Sequence, residues 1–119
     1  MNTMTSLTDR CIDYLNKYAA KDLAAMEDFF AEDIHLRDWK ISVYGKAKAL
    51  EETEKNFEAA DSITIDVLTT HANDNSVAAE LKITVDQTEV LYVVDVVSFN
   101  SQGQIAAIRA YLGRGDAAH

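Results

Sequence analysis

The chain has 119 residues, 48% of them hydrophobic, and its twenty acidic side chains outnumber eleven basic ones for a net charge of −9. That length buries a real core as one domain, residues 1–119, without disulfides or metals. The few, scattered basic residues offer no positive footprint for phosphates, which argues against nucleic-acid and anionic membrane-surface partners, and no apolar run is long enough to span a bilayer.

The opening MNTMTSLTDR carries neither the basic nor the apolar segment of a secretory signal, and Cys11 has no second cysteine to pair with. Both lead to the expectation of a reducing, cytoplasmic setting. Leu7, Cys11, Tyr14, Leu15 and Tyr18 recur at helical spacing and predict a helix from Ser6 to about Ala20, with Ser6 and Asp9 as its start signal. Asp22 is a good N-cap for a second helix, whose apolar stripe is Leu23, Met26, Phe29 and Phe30. Two strand-like pieces follow, DIHLRDW and KISVYG, with Gly45 closing the second. In the first, the two-residue period puts Ile34, Leu36 and Asp38 on one face and His35, Arg37 and Trp39 on the other. KAKALEETEKNFEAAD predicts a third helix with Ala47, Leu50 and Phe57 inward and a charged outer face.

After Asp61 the composition turns β-branched. SITIDVLTTHA, SVAAELKITVD, TEVLYVVDVVSFN and QIAAIRAYLG read as four strands, and the short links NDN, DQT and NSQG predict consecutive hairpins. Helices segregated from such strands define an α+β fold. A long curved antiparallel sheet wrapped around three N-terminal helices leaves a cone with an apolar interior and an open mouth, where pockets form.

Three polar groups sit on surfaces that should be apolar. Asp95 shares its strand face with Val93, Val97 and Phe99, while Val94 and Val96 make the other face apolar too. A strand of that kind is central and covered on both sides, and a carboxylate there has its pKa raised by desolvation. A solvated bulge, or an ion pair with Arg109 on the neighbouring strand, would also account for it. Asp38 follows Ile34 and Leu36 toward the interior, and a turn-forming aspartate at a strand end is the plainer account. Tyr14 on the inward stripe suits a core tyrosine with a satisfied hydroxyl. His35 and His71 lack metal-ligand spacing, Cys11 has no partner motif, and no phosphate loop or nucleophile elbow is present, so neither metal nor cofactor is expected.

Together these residues resemble the ketosteroid isomerase and polyketide-cyclase-like branch of the nuclear transport factor 2-like superfamily. The resemblance runs through the first helix with Tyr14, the block KDLAAMEDFFAEDIHL, Gly45 before the third helix, and the closing VVDVVSFNSQGQIAAIRAYLGRGD. It implies a cone-shaped domain, commonly a homodimer packed through the sheet, here through Tyr92, Val94, Val96 and Ser98 with Arg109 and Tyr111. It implies Asp38 as the base that moves a proton between carbons of an enone, and Tyr14 with a protonated Asp95 as donors to the dienolate oxygen. The ligand pocket implied for a small apolar molecule is lined by Leu15, Tyr18, Phe30, Trp39, Phe57, Val97, Phe99, Ala110 and Leu112. Trp39 stands where such isomerases carry proline, and Thr53 about where they place a second tyrosine that supports the first. The same cone also houses cyclases, hydrolases and non-catalytic binding modules, so these stay open as alternatives.

Overall fold

Local chemistry starts each helix where the sequence places its signals. The computed structural model describes residues 6–116. Helix α1, Leu7–Ala19, is capped by Ser6, whose Oγ accepts the Asp9 amide at 3.0 Å. Helix α2, Leu23–Phe29, is capped by Asp22, whose Oδ1 accepts the Ala25 amide at 3.0 Å. These side chains satisfy amides that have no partner within the helix. Helix α3, Lys46–Ala59, begins after Gly45, which adopts φ 92° and ψ 148° and donates its amide to the Ile34 carbonyl at 2.8 Å. Its buried face is Ala49, Thr53 and Phe57, with Leu50 half-buried. Ala47, expected inward, is exposed, because the face that meets the sheet is turned toward the i, i+4, i+8 row that ends on Phe57.

The strands are β1 (Phe30–Arg37), β2 (Ser42–Tyr44), β3 (Ile63–Ala72), β4 (Ser76–Val85), β5 (Glu89–Phe99) and β6 (Ile105–Leu112). They form one sheet in the order β2-β1-β6-β5-β4-β3. β3 to β6 are a meander of antiparallel hairpins, and β1–β2 is a further hairpin. The one departure from the antiparallel expectation is β1 against β6, which run parallel and make the sheet mixed. Hairpin signals report only pairs adjacent in sequence, so this closing contact left no local trace. β1 begins at Phe30, not Asp33, and stops at Arg37, before Asp38.

On the concave face α1 packs against β3 and β4 and α3 against β1 and β2, while α2 packs against both of these helices. The core between helices and sheet is built from Cys11, Leu15, Met26, Phe30, Ile34, Val77, Leu81, Val97 and Ile105. Register breaks between Phe30 and His35, Val67 and Thr69, and Ser98 and Phe99 mark where strands bend, as bulges do. Among the described residues the convex face carries no helix. β5 is central, as expected, but its Val94 and Val96 stay half-exposed, so only its inner face is covered within the chain. Gly113 and Gly115 fold back over Tyr92 at one end of that convex face, the Gly113 amide donating to the Tyr92 carbonyl at 2.7 Å.

Candidate active site

Between the concave sheet and the helices lies a cavity of about 420 Å³, open at the end where β1 turns into β2 and β4 into β5. Its walls are largely aliphatic: Leu36, Ile63, Ile65, Ile83, Leu91, Val93 and Ile108. Into this apolar space the chain sends Tyr14, Asp38 and Asp95, and beside them Tyr18, Thr53 and Asn56.

Asp95 reaches it from the inner face of β5, paired in register with Ala79 and Ala110, two small neighbours that leave room above the carboxyl. Arg109 pairs with Val96 and so belongs to the opposite face; the ion pair it could have formed with Asp95 does not exist. Asp95 is 9% exposed and makes no hydrogen bond within the described residues. Burial pushes its carboxyl from 3.8 up to about 7, and the charge of Asp38 adds in the same direction.

Tyr14 comes from the inner stripe of α1 and is 4% exposed. Its ring is held by edge contacts with Tyr18 at 6.1 Å and Phe29 at 5.9 Å. Its hydroxyl likewise has no partner among the described residues, yet no buried polar side-chain atom there is both sealed from solvent and unpaired. The free hydroxyl and the free carboxyl therefore both open into the cavity. Burial raises the Tyr14 hydroxyl well above 10, the Asp95 charge next, so it remains a proton donor. Thr53, in the place of a supporting tyrosine, spends its hydroxyl on the Ala49 carbonyl at 2.8 Å and lends Tyr14 none.

Asp38 stands one residue past β1 and combines two of the accounts open in the sequence. Its Oδ1 accepts the amides of Lys40 at 2.7 Å and Ile41 at 2.9 Å, and its own amide donates to the Ile41 carbonyl at 3.0 Å, so it pins the turn from β1 to β2. The same residue lines the cavity, and its charge is felt at Asp95 and Tyr18. Those bonds engage Oδ1 alone, leaving Oδ2 for a ligand. Neither the Arg37 guanidinium nor the Lys40 ammonium forms an ion pair with it: Arg37 stacks over Tyr111 at 4.7 Å and donates to its hydroxyl at 2.9 Å.

Of the expected pocket residues, Leu15, Tyr18, Trp39 and Ala110 line the cavity. Phe30, Phe57, Val97 and Phe99 do not; they are packed in the core. Leu112 pairs with Val93 but ends its strand 47% exposed, outside the lining. Alternation assigns a face, but depth along the strand decides whether an inward side chain meets space or other side chains. On β5, Val93 and Asp95 meet the cavity, and Val97 and Phe99 meet the core.

Sequence reasoning passed over Glu52 and Asn56 on α3, Asp86 in the turn after β4 and Glu89 at the start of β5, which all line the cavity. Glu52 and Asn56 are four apart on one helix face, the signal that could have found them. Asn56 Nδ2 donates to the Tyr18 hydroxyl at 3.2 Å. Burial raises the Tyr18 hydroxyl, the Asn56 bond opposes, and the charges of Asp95 and Asp38 raise it again. Cys11, fully buried beneath, is pushed up to about 12 by burial and is not nucleophilic. Among the described residues no group of three or more His, Cys, Asp or Glu could hold a metal, and no helix is long and apolar enough to cross a membrane.

Asp38, Tyr14 and Asp95 thus share one cavity whose walls are otherwise largely aliphatic. The chain matches the SnoaL-like domain over residues 12–108 and belongs to that family, within the nuclear transport factor 2-like superfamily. Its structure is similar to an NTF2-like protein of unknown function from Cytophaga hutchinsonii (TM-score 0.78, 13% identity, 95% of each chain). It is also similar to SalBIII, an epoxide hydrolase/cyclase-like enzyme of pyran ring formation in the polyether salinomycin (TM-score 0.78, 22% identity, 90% of each chain). A candidate ketosteroid isomerase from Kribbella flavida shares the fold (TM-score 0.74, 16% identity, 89% of this chain and 76% of that one). No curated protein matches the chain.

Proposed function

We propose that the chain transfers a proton at carbon next to a carbonyl, on a small apolar substrate held in the cavity, in the manner of a ketosteroid isomerase. The single observation that carries this reading is that Tyr14 and Asp95, both buried and without a hydrogen-bond partner among the described residues, open into the cavity that Asp38 also lines. Both groups face the cavity with no protein partner among the described residues to occupy them, so an oxygen of a bound ligand can accept from both. Asp38 Oδ2 takes the proton from the α-carbon. The C–H electron pair moves into the new carbon–carbon double bond, and the carbonyl oxygen becomes an enolate that accepts from Tyr14 and protonated Asp95. Return of the same proton to the γ-carbon completes the isomerisation and restores Asp38.

The test is deuterium exchange and isomerisation across a panel of β,γ-unsaturated ketones. Asp38→Asn abolishes turnover, and Tyr14→Phe lowers kcat by roughly 10²–10³. No exchange above buffer, together with a phenol affinity that Tyr14→Phe leaves unchanged, would leave only a non-catalytic binding module.

A second reading rests on the electrostatic coupling of Asp38 to Asp95. A carboxylate and a protonated carboxylic acid in one cavity can activate water and protonate an epoxide oxygen, the type of chemistry named for SalBIII. Turnover of epoxides but of no ketone would select it.

A further inference from the structure

The mechanism proposed above leaves Tyr18 unused. Its hydroxyl accepts from Asn56 Nδ2 at 3.2 Å and donates to no described residue, so its own proton is available to the cavity that both residues line. Its ring is fixed between Phe57, edge-on at 4.9 Å, and Tyr14, at 6.1 Å. Tyr14 and Tyr18 are one helical turn apart on α1, about 6 Å along its axis. Tyr18 thus presents a second preset donor one turn nearer the end of α1, in the cavity that Asp95 and Asp38 also line. Around the same cavity the carboxylates Asp38, Glu52, Asp86 and Glu89 outnumber the cations Arg37 and Lys40, a balance that disfavours an anionic group there.

We propose that Tyr18, held by Asn56, is a specificity residue that binds a second, uncharged oxygen of the substrate, so that the site takes a molecule with two oxygens about one helical turn apart. The class this describes is a fused-ring or similarly sized hydroxyketone or diketone, not a carboxylate. The inference rests on the reading above only in giving the first oxygen to Tyr14 and Asp95.

The probes are 2-naphthol, its naphthalenediol isomers with the second hydroxyl on the far ring, and the corresponding hydroxynaphthoates, titrated by calorimetry. At least one diol binds about tenfold more tightly than 2-naphthol, as one added hydrogen bond allows; the hydroxynaphthoates gain nothing. Tyr18→Phe, which keeps the ring contacts, erases the diol gain and leaves 2-naphthol within about twofold. Asn56→Leu, on the exposed side of α3, reduces the gain with the same 2-naphthol affinity. If no diol gains, if the gain survives Tyr18→Phe, or if a carboxylate gains as much, the inference is overturned while the Tyr14–Asp95 site stands. If 2-naphthol binds but ignores Tyr14→Phe, the reading above fails instead, and absence of all binding overturns both.

Discussion

At the scale of single residues, the cavity holds two carboxylates in different settings, Asp95 buried on β5 and Asp38 in the turn after β1. Asp95 binds protons in the folded chain up to about pH 7, while an exposed aspartate releases them near 3.8. The folded state thus holds more protons than the unfolded state between those values, and stability falls as pH rises through that window. Above about 7 the full penalty, on the order of 4 kcal/mol, is in place. Urea unfolding of wild type against Asp95→Asn checks this: the wild type loses stability relative to the variant from pH 4 to 7, and the gap is constant above. Under the proposed mechanism turnover follows the same proton, since only the acid form donates to an enolate. The rate falls as pH rises through about 7, and Asp95→Asn, still a donor, loses that limb. For Asp38 the turn is held through Oδ1, and the proposed role as base falls to Oδ2. Asp38→Asn keeps an oxygen for the Lys40 and Ile41 amides and folds like wild type; Asp38→Ala frees both and costs about 1–3 kcal/mol in chemical denaturation. Equal losses for the two variants would contradict the division of labour between Oδ1 and Oδ2.

At the scale of elements, the cavity wall depends on how α3 is launched. Gly45 sits at φ 92° and ψ 148°, near a region open in practice to glycine alone, and ties β2 to the start of α3. A Cβ there would meet nothing nearer than the Glu32 carbonyl at 4.0 Å, so the cost of Gly45→Ala is backbone strain and not collision. We expect a loss of about 1–3 kcal/mol by thermal or urea unfolding, with weakened ligand binding because Thr53 and Asn56 ride on the same helix. A neutral substitution would mean the segment relaxes freely. Starts of elements were legible in the sequence for the same local reason: Ser6, Asp22 and Gly45 act on their immediate neighbours. The faces of Tyr14, Leu36 and Asp95 followed from periodicity. The parallel seam of β1 and β6 and the rotation of α3 that exposes Ala47 are decided by partners distant in sequence. So is the depth that buries Phe99 in core while Val93 meets space. Asn56 escaped notice because a charged, exposed helix face gives no sign that one edge of it closes a cavity.

At the scale of the molecule, the helices of the described residues cover one face of the sheet and leave the other without one. On that convex face Val94 and Val96 of β5 stand in register with Glu80 and Ala78 of β4 and with Tyr111 and Arg109 of β6. Arg37 stacked over Tyr111 borders the row, and the segment after β6 already covers Tyr92. A central strand with valines on its uncovered side is apolar surface that a second copy would remove from water, and a two-fold pairing of sheets is the closed way to do so. Against it stands the charge of −9 on each copy, a repulsion that salt screens. A homodimer through this face therefore tightens as ionic strength rises, the opposite of an interface held by ion pairs. Light scattering at micromolar concentration should give twice the 13.2 kDa chain. Val96→Glu, which places a charge at the centre of the patch without touching the cavity, should return it to a single chain with its circular dichroism unchanged. A wild-type particle of one chain at both low and high salt would show that the valine row is tolerated bare.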